Sequence, residues 1–130
     1  MIVCGYGGFG KQIIYNLKKE NMKYIAIIDN HEFFENALNH GEKVIFGNPS
    51  QKHILEEAGI EKAKAVIIAL HDIESIIILS HTIKDLNENV KILAKVTKKS
   101  ILPDNIDSED FIDIYDCTAE LLVEKVGGKN

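Results

Sequence analysis

The 130-residue chain has no arginine and no tryptophan, and all 15 of its basic residues are lysine. Without a guanidinium fork there is no bidentate grip on phosphate, so any phosphate must be held by backbone amides, lysine or hydroxyls. Basic residues are outnumbered by 20 acidic ones, for a net charge of −5 and a pI near 5.5. Non-specific binding to nucleic acid or to anionic lipid needs a basic surface, so neither is expected. Cysteine is equally scarce. Cys4 sits in an apolar run and Cys117 lies far from it; two thiols are too few for a disulfide framework or a zinc site, and a reducing, cytosolic compartment is expected. Long apolar runs are missing too. The longest, Ala65 to Leu70, falls far short of the ~20 residues of a membrane span. The first residues lack the basic stretch and apolar core of a signal peptide.

What is present is ordinary globular composition, 45% hydrophobic and 27% charged, in a length that fits one domain over residues 1–130. Short apolar runs alternate with helical patterns. Strands are expected at Ile2-Val3-Cys4, Tyr24 to Ile28, Lys43 to Phe46, Ala65 to Leu70, Val90 to Val96 and Asp110 to Ile114. Helices are expected from Gly10 to Glu20, from His31 to Asn39 up to Gly41, and from a Ser50 cap to Ala58 with Gly59 as stop. Two more follow, from an Asp72 cap to Leu86 and from Asp116 to Val126. The strands are continuous apolar runs, as a parallel sheet covered on both faces requires. The fold class is therefore α/β: a doubly wound, mainly parallel, six-stranded Rossmann-type sheet with helices on both faces.

Gly5-Tyr6-Gly7-Gly8-Phe9-Gly10 fits G-x-G-x-x-G. Alone the pattern is weak, but here it follows a strand, opens a helix, and precedes Asp29 by 19 residues at the end of the second strand. Those contexts define a dinucleotide fingerprint. Gly5 permits the tight turn, Gly7 lets a pyrophosphate approach the backbone, and Gly10 lets helix and strand pack closely. The amides of Gly8 to Lys11 and the positive helix end then face the phosphates. Asp29, followed by Asn30, would accept hydrogen bonds from both ribose hydroxyls and repel a 2′-phosphate. Asn48-Pro49, after the third strand, lies where open α/β sheets bind ligands; Asn48 offers a donor and an acceptor to an adenine edge, although Asn-Pro is also a common turn starter. Ala69, Leu70 and His71 after the fourth strand and Lys95 at the end of the fifth complete the candidate contacts.

The segments Val3 to Gly10, Ile27-Ile28-Asp29, Gly47 to Ser50, Leu55 to Ile67 and Phe111 to Asp116 together resemble the N-lobe of the RCK, or TrkA-N (KTN), domains, over nearly the whole chain. The resemblance implies a cytosolic ligand-sensing module of a potassium channel or transporter that binds NAD(H), AMP, ADP or ATP in its glycine-rich cleft. It also implies a homodimer, often within an octameric ring, and a membrane-embedded transport partner on whose cytosolic face the module sits. The sequence departs from the family pattern at several positions. Many members carry Arg where Gly8 stands, Gly-Asp-Ala where Asn48-Pro49 stand, and Arg or Glu where Lys95 stands. The acidic cluster of calcium-binding members is missing at Ala69, Lys95 and Thr97, and a hard cation needs several oxygen ligands, so no metal is expected.

Nothing else in the chain reads as catalytic chemistry. His31, His40, His53, His71 and His81 show no metal spacing, the serines lack a nucleophile elbow, Cys117 has no neighbouring histidine, and Lys98-Lys99 reads as a solvated pair. The expectation is a regulatory domain and not an enzyme. The alternatives are the cofactor half of an NAD-dependent oxidoreductase and an assembly subunit without ligand. On the helix after Asp72, Ile73, Ile76, Ile77, Leu79, Ile83 and Leu86 cover an arc of roughly 180°, wider than the ~100° that one sheet face needs. A dimer built on the later helices would use the excess, as would deep burial within one chain.

Overall fold

A computed structural model describes residues 1–97, 102 and 111–127; Lys98-Lys99 and the Asp110 strand start lie outside them. The strands are β1 (Ile2–Cys4), β2 (Ile25–Ile28), β3 (Val44–Phe46), β4 (Ala65–Ile68), β5 (Lys91–Val96) and β6 (Phe111–Asp113). They form one six-stranded sheet in the order β3-β2-β1-β4-β5-β6. All five pairings are parallel, so the sheet is parallel throughout its length. The order reverses between β1 and β4. A doubly wound sheet binds its ligands in that crevice, outside the carboxyl ends of the strands.

Five α-helices lie among the described residues, α1 (Gly8–Lys19), α2 (His31–Asn39), α3 (Lys52–Glu57), α4 (Ile73–Leu86) and α5 (Ile114–Lys125), with a short 3-10 helix at Ile60–Lys62. Alternation along each strand sends side chains to opposite faces. Ile2, Cys4, Ile27, Val66, Ile68 and Ile92 pack with Leu55 of α3 and Ile76, Leu79 and Ile83 of α4. Val3, Ala26 and Ile28 pack on the other side with Ile14 and Leu17 of α1 and Ala37 of α2. The first two helices end in left-handed residues. Asn21 (φ 56°) follows α1 and Gly41 (φ 72°) follows α2. Met22 N donates to Leu17 O, and Glu42 N to Ala37 O, closing Schellman-type ends.

Two helix starts differ from the sequence expectation. Ser50 does not cap α3. The N-cap is Gln51, with no side-chain bond, and the Ser50 amide before it donates to Asn48 Oδ1 at 2.9 Å in an Asx turn. The last helix opens earlier than Asp116: Asp113 ends β6 and caps α5, accepting from Tyr115 N and Asp116 N at 3.1 Å each. Asp72 caps α4 as expected, taking the Ser75 hydroxyl at 2.7 Å and the Ser75 amide at 3.2 Å. The Ser75 hydroxyl, then the amide, hold the Asp72 carboxyl below its ordinary value. A depressed carboxylate stabilises the fold above its unfolded pKa and loses that effect as pH falls through the folded value. Asp72→Asn keeps a capping oxygen without the charge. Wild type should therefore melt higher than this variant at pH 7, and the gap should close below about pH 4. A gap independent of pH in a series of thermal melts would contradict this.

On α4 the buried stripe is Ile76, Leu79, Ser80 and Ile83, while Ile78 is 58% exposed. The wide apolar arc is thus used in part by the chain's own sheet. None of the residues of α5 is buried, and Leu121, Leu122, Val123 and Val126 are all more than half exposed. No helix among the described residues is long and apolar enough to cross a membrane.

Candidate functional site

The crevice between β1 and β4 is built by close backbone contact. Gly5 has φ +112°, a conformation side chains disfavour, and its amide donates to Ile27 O at 3.0 Å. A Cβ on Gly5 would lie 2.8 Å from the Ala69 carbonyl oxygen, and one on Gly10 would collide with the Gly5 carbonyl. These two glycines let β1, the start of α1 and the end of β4 converge. Ala69 is buried against them and donates its amide to Cys4 O at 2.8 Å.

Gly7 is the N-cap of α1 and offers no side chain; the first turn carries no acidic residue. The first four N–H groups of a helix lack intrahelical partners, and those of Gly7, Gly8, Phe9 and Gly10 find none among the described residues. The anion-binding set is therefore shifted by one residue from Gly8–Lys11, because Lys11 N already donates to Gly7 O at 2.9 Å. Gly8 stands in open space, with nothing within 4 Å of a Cβ placed there. Tyr6 turns the other way. Its side chain is 4% exposed and joins the core under α1, so its backbone alone faces the crevice. Burial raises its hydroxyl pKa, with Glu42 adding to the shift. Glu42 also accepts from Tyr24 at 2.7 Å and pairs with Lys18 at 3.0 Å, tying α1 to β2 behind the loop.

Asp29 is exposed at the end of β2, with no hydrogen-bond partner among the described residues. Its neighbour Asn30 is occupied, since Oδ1 caps α2 by accepting from Phe33 N at 2.9 Å. Asn48 is likewise half-committed. Its Oδ1 serves the Ser50 turn, leaving the amide NH₂ as its free group, and Pro49 is buried beside it. Aromatic side chains that the motif does not announce line this end. Phe46 of β3 stacks on His31 at 4.8 Å and meets Phe34 edge-on at 5.3 Å. The Phe33 ring is the nearest neighbour of Gly7, 4.0 Å from a Cβ built there. Phe33 lies one position off the buried stripe of α2, and that offset was the available sequence signal.

Across the crevice, Lys95 projects from the α1 face of β5. Its Nζ lies 2.8 Å from His71 Nδ1 and 5.3 Å from the centre of the Phe9 ring. Leu70 is half-buried against the α4-side core, and His71 is exposed. Two recesses meet at Lys95. One, of about 260 Å³, is lined by His71, Asp72, Val96 and Thr97. The other, about 340 Å³ and strongly apolar, lies under Phe9, Ile13, Leu93 and Ile112. The crevice thus has amides in the middle, a free carboxylate on the β2 side and a lysine–histidine pair on the β4–β5 side. Cys4 is not a nucleophile here, because complete burial pushes its thiol up to about 12. Among the described residues no three His, Cys, Asp or Glu side chains gather as a metal cage.

The chain is similar to known proteins throughout this fold. Potassium channel protein 1 of Methanocaldococcus jannaschii is 35% identical over 103 residues, 78% of this chain and 31% of the relative. Probable potassium channel protein 2 of the same organism is 32% identical over 104 residues, covering 78% and 30%. The chain therefore spans about a third of the length of these relatives. Among solved structures, the TrkA-N domain of Escherichia coli inner membrane protein ybaL superposes with a TM-score of 0.76 at 19% identity, covering 93% of this chain and 94% of that one. The Shewanella denitrificans Kef C-terminal domain in its AMP-bound form gives 0.72 at 19% identity, covering 96% and 77%. The GsuK channel bound to NAD gives 0.62 at 25% identity, covering 75% and 18%. The TrkA-N domain model matches residues 1–103, and with the strand order and glycine loop described above it establishes that this chain belongs to the TrkA-N domain family.

Proposed function

We propose that the domain is a nucleotide-sensing regulatory module of a potassium channel or transporter, binding NAD(H), AMP or ADP in the β1–β4 crevice and working on the cytosolic face of the membrane. The observation that carries this reading is the row of four unpaired amides at the start of α1, with the free Asp29 carboxylate on one flank. Backbone amides and the helix dipole suit a phosphate, and a carboxylate at the end of β2 suits the two hydroxyls of an adenosine ribose. Gly7, Gly8, Phe9 and Gly10 would hold the phosphates and Asp29 the ribose, with Gly5, whose amide is engaged by Ile27, shaping the turn beneath them. The Asn48 amide would reach the base, with Lys95 as a point charge. The backbones of Tyr6, Asn30, Ala69 and Leu70 would shape the walls. The family membership and the nucleotides in the Kef and GsuK structures support it.

On this reading the module binds its ligand and does not transform it, in line with its likeness to potassium channel proteins. It works as a homodimer, for which the exposed apolar face of α5 and Ile78 of α4 supply the surface. A ligand acts on transport through its different affinities for two arrangements of the assembly. The test is thermal denaturation of the purified chain with millimolar NADH, NAD, AMP or ADP. A ligand at a hundredfold excess over Kd stabilises by about 2.7 kcal/mol, several degrees for a domain of this size. No shift with any of the four would remove the reading, and steady substrate-dependent NADH oxidation would replace it with an enzyme.

A further inference from the structure

The sheet is covered unequally on its two faces. Under α3 and α4 the side chains of β4 to β6 are packed away: Val66, Ile68, Ile92, Ala94, Val96 and Phe111 are each at most 5% exposed. On the α1 face the same strands carry Ile67, Leu93 and Ile112, which belong to neither packed core, and Ile112 is 51% exposed. A parallel sheet ordinarily buries both faces. Here α1 meets these strands only at its edge, through Phe9 and Ile13, and Cys117 of α5 stands on the far side. Between them lies the apolar recess of about 340 Å³, with Ile67 beside Leu93 and Ile112 beside Lys95 on its floor.

Lys95 is the only charged residue among the described ones that line this recess. Its ammonium has three donors and no acceptor. One donor serves His71 Nδ1 at 2.8 Å, and the Phe9 ring lies 5.3 Å from the nitrogen. A donor is left over for an anion. A volume at the small end of ligand sites, apolar walls and a single cation together describe a small amphiphile with one negative group.

We propose that the recess binds a medium-chain aliphatic carboxylate, its chain on Ile67, Leu93 and Ile112 and its head group on Lys95. The chain gains affinity by leaving water, and the ammonium selects the charge of the head group. The site lies apart from the surface assigned to the dimer, because Leu121, Leu122, Val123 and Ile78 do not line it. Nor does it rest on the nucleotide reading, since it uses neither Asp29 nor the free amides of α1.

The test is methyl NMR titration of the full chain, without nucleotide, with decanoate, octanoate and decanol below their aggregation concentrations. Wild type, Lys95→Met, Lys95→Arg and Cys117→Trp are compared, with thermal melts as the folding control and sedimentation for the oligomeric state. Decanoate should move the methyls of Ile67, Leu93 and Ile112 before those of the exposed Leu121 and Leu122. It should bind about tenfold more tightly than decanol, the size of one charge-assisted contact in a partly exposed site. Octanoate should bind about tenfold more weakly than decanoate, for two methylenes fewer in the recess. Lys95→Met should bring the decanoate-to-decanol ratio close to one, and Lys95→Arg should keep it. Cys117→Trp, whose ring fills the recess from an exposed wall, should abolish binding of all three. Equal affinities for decanoate and decanol in wild type, a ratio untouched by Lys95→Met, or shifts spread evenly to Leu121 and Leu122 would overturn the inference. A wild type unmoved by decanoate, with a dimer that Cys117→Trp dissociates, would overturn it too and give the recess to a second copy of the chain.

Discussion

Asp29→Ala is expected to weaken adenosine-ligand binding by roughly ten- to a hundredfold, the equivalent of about 1.5–3 kcal/mol for losing hydrogen bonds to a charged acceptor. Asp29 is exposed, and no partner among the described residues competes for its oxygens, so its removal should leave the melting temperature of the empty protein almost unchanged. The same substitution should narrow the preference for NADH over NADPH. A 2′-phosphate meets the carboxylate repulsively in wild type, and the chain has no arginine to offset it. Titration of both proteins with NADH, NADPH and AMP gives the answer. Equal NADH affinity in both would reduce Asp29 to a turn residue.

Gly10→Ala is expected to have the largest effect on the fold. Its new methyl would collide with the Gly5 carbonyl. Backbone is on both sides of the clash, and Gly5 is fixed in turn by its bond to Ile27 and its approach to Ala69. No flexible side chain is present to yield, so the cost should reach about 3 kcal/mol, at the upper end of overpacking penalties. In a 130-residue domain that is roughly 10 °C of melting temperature. Nucleotide binding should fall as well, because the displaced turn carries the free amides. Gly8→Ala is the matched control, since a methyl there meets nothing within 4 Å. It should fold at least as well as wild type, given the cost of glycine in a helix. Urea titrations of the three proteins measure the difference, and a Gly10→Ala variant as stable as Gly8→Ala would refute the packing argument.

Much of the architecture is legible in the sequence because its causes are local. Apolar runs such as Ala65 to Ile68 announce buried parallel strands. Gly41 and Gly59 mark chain reversals through conformations that other residues resist, and Asp72 sits where an acidic cap is useful. The glycine spacing with Asp29 marks the turn after the first strand as a ligand crevice, while the strand order itself comes from the structure. Where local cues compete, the sequence is ambiguous. Ser50 has the chemistry of a helix cap, yet its place in the Asx turn of Asn48 puts it one residue before the start of α3. Asp113 and Asp116 are both good caps, and register with Val96 of β5 selects the first. Contacts between distant residues are the least visible. His71 and Lys95 are 24 residues apart, and neither spacing nor composition pairs them. Tyr6 sits in the middle of the phosphate motif, yet its ring serves the core.

The glycines of the loop are not equivalent, and the difference bears on how such a module can change over time. Gly5 and Gly10 are fixed by backbone atoms that no neighbouring mutation can move, so variation there is closed off by folding itself. Gly8 faces empty space and carries one of the free amides itself. A Cβ there meets no neighbour, so a side chain can start from Gly8 without touching the core. The chemistry presented to the crevice and the durability of the scaffold therefore sit on separate positions of one six-residue turn. A change of side chain at Gly8 alters the mouth of the crevice while the architecture around it stays still.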